Sequence, residues 1–140
     1  IGDLTQFQIS REEKERIEHE AVHKILSGLI DGEQIERIFL EFDAHKTAEA
    51  KFAYMCDKLE CDLQCKLYDE EGCVDLNDQE DNETAANSHV KALLESEKTW
   101  SGMWLKFGQE KYPYDENFMA VSEYAMKNTL SRCIKSTTVI

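Results

Sequence analysis

Residues 53–65 read AYMCDKLECDLQC. The stretch has helical spacing, and the assignment of its faces decides the fold. At roughly 100° per residue, Lys51, Lys58, Asp62 and Lys66 gather on one polar face. Phe52, Cys56, Leu59, Leu63 and Leu67 form an apolar stripe opposite. Asp57 does not fall with the charges. It falls among Ala50, Ala53, Tyr54 and Cys61, with Glu60 and Gln64 on the same side, on an arc expected to face the interior. A buried ionised carboxylate is costly unless it is paired or binds a metal. Asp57 is therefore read either as a structural ion-pair partner of a Lys or Arg on another helix, or as a metal ligand.

The signals on both sides are helical as well. Ser10 opens a capping box with Glu13, and Ile17, Ala21, Ile25, Gly28 and Leu29 follow at helical spacing. Asp31-Gly32 breaks that helix. A second run, from Gln34 to about Ala44, carries Ile35, Ile38, Phe39 and Phe42. Thr47 is placed to cap the helix that holds the opening stretch and runs to about Tyr68. Residues 69–83, DEEGCVDLNDQEDNE, read as a solvated acidic loop. A helix is expected from about Thr84 to Glu97, then a short aromatic one starting at Thr99. The last is capped by Asp115 and extends to about Ile134, before a frayed tail. Strand-like alternation nowhere persists. The expectation is an all-α bundle of about six helices forming one domain over residues 1–140.

The chain has 29 acidic and 16 basic residues, a formal net charge of -13. That argues against a nucleic-acid polymer as partner, because phosphate neutralisation supplies most of such affinity. A small anionic substrate would need a local cation. No apolar run is long enough for a bilayer, so no membrane partner is expected. Of five cysteines, four lie in residues 56–73. They do not form a disulfide framework, and reduced thiols in a cytoplasmic protein are the simpler reading. Spacings of four and eight between Cys61, Cys65 and Cys73 do not match a zinc ribbon. No signal peptide is visible, and the first residue is Ile, as expected of a chain that was processed or belongs to something longer.

Residues 19–23, HEAVH, match the H-E-x-x-H zinc pattern. His19 and His23 fall at the border of the apolar stripe, near Glu12 and Arg16, as solvated residues do. Glu20 lies on the polar face with Glu13 and Lys24, and no strands precede the motif to build a protease cleft. A zinc protease is thus the third-ranked reading. Trp100, Trp104, Phe107, Tyr112, Tyr114 and Phe118 are read as core or subunit interface.

The order of GDLT (residues 2–5), a capping-box helix, and LEFDAHKTAEAKFAYMCDKLE (residues 40–60) resembles the rear part of an HD-domain metal-dependent phosphohydrolase. The branch is the one related to the 5'-deoxynucleotidases. The resemblance covers most of residues 1–68. It implies an all-α fold and a metal held by an early His, an adjacent His-Asp pair and a later Asp. By the match of TAEAKFAYMCDKLE, Asp57 would be that last ligand. Asp3, in the Gly-Asp phrase, would position or deprotonate the attacking water. Glu41 matches an acidic family position of unassigned role, and the substrate-binding residues stay unknown. The His-Asp dipeptide is absent, and no His of this chain sits where the family places its ligands. The resemblance therefore implies an N-terminally incomplete domain, whose other ligands precede residue 1 or come from a partner chain. Without them this chain is expected to be metal-free and inactive.

The implied function is hydrolysis of a small phosphorylated substrate, a nucleoside 5'-monophosphate or related ester. The cofactor would be a divalent transition metal, with Mn, Co, Fe or Ni suited to mixed N/O ligation. It would lower the pKa of bound water and polarise the phosphoryl group. The alternative is a non-catalytic helical module that forms a homodimer through its aromatic C-terminal helices.

Overall fold

The computed structural model describes residues 9–79 and 82–131. Among them are seven helices and no strand, so the all-α expectation holds. They are α1 (Arg11–Leu26), α2 (Gly32–Ala44), α3 (Ala48–Glu70), α4 (Glu83–Ala86), α5 (Ser88–Glu97), α6 (Trp100–Lys111) and α7 (Glu116–Lys127). No described helix is long and apolar enough to cross a membrane. The chain divides into two compact units, residues 1–54 and 55–140, with α3 running from one into the other.

In the first unit, the backbone N–H of Glu13 donates to Ser10 Oγ at 3.2 Å and starts α1. The helix ends where Ser27 N donates to His23 O, and Gly28 follows at φ 85. Asp31 adopts the left-handed region at φ 59, which a short polar side chain tolerates. Gly32 then starts α2 with no room for a side chain, since a Cβ there would overlap the Leu26 carbonyl oxygen. The turn reverses the chain. His23 meets Glu36 and His19 meets Asp43, a pairing that runs α1 and α2 antiparallel. Thr47 accepts from Ala50 N at 3.2 Å and caps α3, as its sequence position predicts.

The second unit is centred on Val90, Leu93 and Met103, with Leu94, Trp100, Trp104 and Phe107 packed against them. Trp100, Trp104 and Phe107 stand edge to face, with centroids 6.1 and 5.4 Å apart. That arrangement suits the charge distribution of aromatic rings. The single helix expected over 84–97 is broken at Asn87. Its side chain accepts from His89 N and Val90 N, so it ends α4 and caps α5. The expected last helix stops early, at Lys127, and the rest of its predicted span beyond Ser131 lies outside the described residues.

The second half of α3 meets α6 at two points. Asp69 Oδ2 accepts from Ser101 N at 2.9 Å and from Ser101 Oγ at 2.7 Å. Two turns earlier on α3, Asp62 lies against Gly108, two turns later on α6. A Cβ on Gly108 would overlap Asp62 Oδ2. One residue past Asp69, Glu70 accepts from Leu130 N and Ser131 N at 2.9 and 2.8 Å and pairs with Lys66 at 3.1 Å. Burial alone would raise the Glu70 pKa, but these N–H donors and the lysine outweigh it and hold the carboxyl below its ordinary value. Asp69→Ala strips the first turn of α6 of an acceptor and leaves the buried Ser101 hydroxyl unpaired. The expected cost is about 1–2 kcal/mol. Thermal unfolding checks it, and an unchanged melting temperature would refute the capping role.

Candidate functional site

The wheel reading of α3 needs one correction. Its buried arc from Leu59 onward is centred on Asp62, not on the stripe opposite it. Asp62 is 4% exposed, while Phe52 is 59% exposed and Cys56 is also exposed. Lys58 and Lys66, counted as polar on the wheel, are partly buried. Their long apolar stems can cover the protein while the ammonium groups reach the rim. Asp57 consequently faces outward instead of inward. It sits on the exposed side of α3, its Oδ2 2.8 Å from Lys58 Nζ. Its partner is the adjacent residue, not a cation from another helix.

Asp3 lies outside the described residues. Glu41 is exposed on α2 and accepts from Thr47 Oγ1 at 2.7 Å. It borders a shallow, mostly apolar cavity of about 320 Å³ with Ile38, Phe42, Glu49, Ala50 and Ala53. These residues belong to the first unit, and Asp57 belongs to the second.

Both histidines of the H-E-x-x-H motif are engaged by carboxylates of α2. His19 Nε2 lies 2.6 Å from Asp43 Oδ2, and His23 Nδ1 lies 3.0 Å from Glu36 Oε1. Each imidazole is committed to a different carboxylate of α2. Glu20, the would-be general base, pairs with Arg16 at 2.6 Å on the solvent side. Arg16 also binds Glu13 at 2.7 Å, and that hydrogen bond lowers the Glu13 pKa.

Cys56, Cys61, Cys65 and Cys73 are free. Burial pushes Cys65 up to about 12, with Asp69 and Asp62 adding to the shift. Burial also raises Cys61, with Asp57 and Glu60 contributing. Neither thiol therefore has the lowered pKa of a reactive cysteine.

The residue that sequence reasoning missed is Asp62. The Tyr114 hydroxyl donates to its Oδ2 at 3.3 Å. Burial pushes Asp62 up to about 7, against the opposing pull of that hydrogen bond and of the Lys58 charge. Tyr114 is raised in turn, first by burial and then by the Asp62 charge. The sequence signal was a lone Asp between Cys61 and Leu63, which a wheel cannot tell from a surface charge.

Among the described residues, no group of three or more His, Cys, Asp or Glu is arranged to hold a metal ion. Asp57 offers an accessible carboxylate, a suitable oxygen donor for a divalent cation. One carboxylate does not make a site, so the described residues do not fit a resident metal by themselves.

The chain is a member of the HD domain family, whose sequence model matches residues 1–100. A 76-residue stretch is 38% identical to the 5'-deoxynucleotidase hdd1 of Schizosaccharomyces pombe (strain 972 / ATCC 24843). That match covers 49% of this chain and 38% of the fission-yeast protein. No solved structure matches the chain significantly.

Proposed function

We propose that residues 1–140 form part of a single HD-type hydrolase domain that acts on nucleoside 5'-monophosphates or related phosphate esters. The observation that carries this reading is the family match over residues 1–100, which includes the DKLE helix. Similarity to a 5'-deoxynucleotidase supports the substrate class. Asp57 is assigned as one carboxylate ligand of a divalent transition metal, Mn, Co, Fe or Ni. Its outward position on α3 leaves it accessible to further ligands from outside the described residues. Asp3 is assigned to hold or deprotonate the attacking water, which requires hydrogen-bond reach to that water. The products would be inorganic phosphate and a nucleoside. The metal's positive charge would also offset the field of a chain with net charge -13.

The test is phosphate release from a panel of ribo- and deoxyribonucleoside 5'-monophosphates by the protein at its native length. The expected result is release with Mn or Co that stops in EDTA and returns when metal is restored. Release that persists in EDTA would remove the metal from the reading. No release with any metal or nucleotide would remove the activity.

A further inference from the structure

We propose that Asp62 is a proton-operated latch between α3 and α6. Neutral, its carboxyl fits the dry contact with Gly108 and the Tyr114 hydroxyl; ionised, it loosens that contact. The geometry leaves little alternative room. Asp62 is 4% exposed, and Gly108 approaches so closely that even a methyl group there would overlap Oδ2. Water therefore has poor access to solvate a charge at this point, and burying an unsolvated carboxylate is costly.

The groups facing Asp62 do little to relieve that cost. From α3 come Lys58, Cys61 and Cys65, and one turn on Lys66, which pairs with Glu70 at 3.1 Å. Lys58 attracts Asp62 but is engaged with Asp57 at 2.8 Å. Both thiols have raised pKa values and stay neutral near pH 7. From the turn after α6 come Tyr114, which donates one hydrogen bond, and Tyr112 beside it. Tyr114 is itself fixed by stacking on Phe118 of α7, with centroids 6.0 Å apart. From α6, Gly108 closes against the carboxylate.

The direction of the pH effect follows from these contacts. Burial raises the folded-state pKa of Asp62 to about 7, from an ordinary value of 3.8. The folded chain then binds the proton more tightly than the unfolded chain. The stabilisation is fully present below the unfolded value. It is lost progressively as pH rises through about 7. Asp69, two turns along, makes its two hydrogen bonds to Ser101 and keeps the helices attached. The latch thus loosens one end of the α3–α6 contact.

The test is thermal unfolding from pH 5 to pH 8.5, followed by the fluorescence of Trp100 and Trp104. Wild type is compared with Asp62→Asn and Tyr114→Phe. The wild-type melting temperature should fall relative to Asp62→Asn as pH rises, by about 5 °C or more between the ends of the range. Tyr114→Phe removes a hydrogen-bond donor to the carboxylate, so it should enlarge the fall. Parallel wild-type and Asp62→Asn profiles, or Asp62→Asn losing more with rising pH, would overturn the proposal. The Asp62 carboxyl carbon shift in the wild-type chain gives an answer that does not depend on the variants. A titration in the neutral range supports the latch, and one in the ordinary acid range refutes it.

Discussion

Asp57→Ala is expected to lower metal affinity and phosphate release by more than about 100-fold in the protein at its native length. Loss of groups that merely support metal ligands already costs about 10–100-fold, and removing a ligand should cost more. Folding should hardly change. Asp57 is exposed and pairs with its neighbour Lys58 on the surface of α3. An exposed pair of this kind contributes little to stability, so the expected change is within about 0.5 kcal/mol. Metal content by elemental analysis, phosphate release and melting temperature are measured on one preparation. Lost metal with an unchanged melting temperature identifies a ligand. Retained metal and activity would remove Asp57 from the site. Lost metal with a large drop in melting temperature would point to a structural role.

Met103→Ala is expected to be the most damaging core substitution. Met103 is fully buried and touches the Val90 and Leu93 cluster beneath Trp100, Trp104 and Phe107. Removing its side chain forfeits the transfer energy and leaves a cavity that two indole rings cannot readily fill. The expected cost is about 3 kcal/mol, within the range for Met→Ala in cores. A loss of that size in a chain of this length lowers the melting temperature by roughly 10 °C. Denaturant unfolding followed by tryptophan fluorescence reports it directly, because both tryptophans line the affected cluster. A cost below about 1 kcal/mol would mean that the cluster collapses onto the space.

The caps were legible in the sequence because each is a local chemical event. Ser10, Thr47, Thr99 and Asp115 all accept hydrogen bonds from the first turn of the helix that follows. Asn87 was missed because no Gly or Pro marks a break between Thr84 and Glu97. There a cap and a tolerated interior residue look the same. The phase of α3 was missed for a non-local reason. What buries Asp62 is Gly108 and Tyr114, far along the chain, and nothing near residue 62 encodes their arrival. The lysines misled in the same way, since their apolar stems are half of the side chain. For the candidate site, the DKLE phrase singles out Asp57 as the proposed ligand, and helical periodicity gave it the wrong side of the helix. The H-E-x-x-H motif was ranked third on its surroundings. The carboxylates that claim its histidines, Glu36 and Asp43, could be found only once α1 and α2 were folded back on each other.

The paired contacts of α3 and α6 also restrict how this part of the chain can change length. Asp62 and Asp69 are matched to Gly108 and Ser101 over equal stretches of antiparallel helix. Inserting one residue between Asp62 and Asp69 would swing everything beyond it by about 100°. Asp69 would then miss Ser101, and a second residue added to α6 between Ser101 and Gly108 would not repair it, because both right-handed helices turn in the same sense. Single-residue insertions between these contact points should therefore be poorly tolerated in either helix. The hydrogen bonds described for residues 75–79, in the turn after α3, stay within that turn, so length variation in this half of the molecule should collect there.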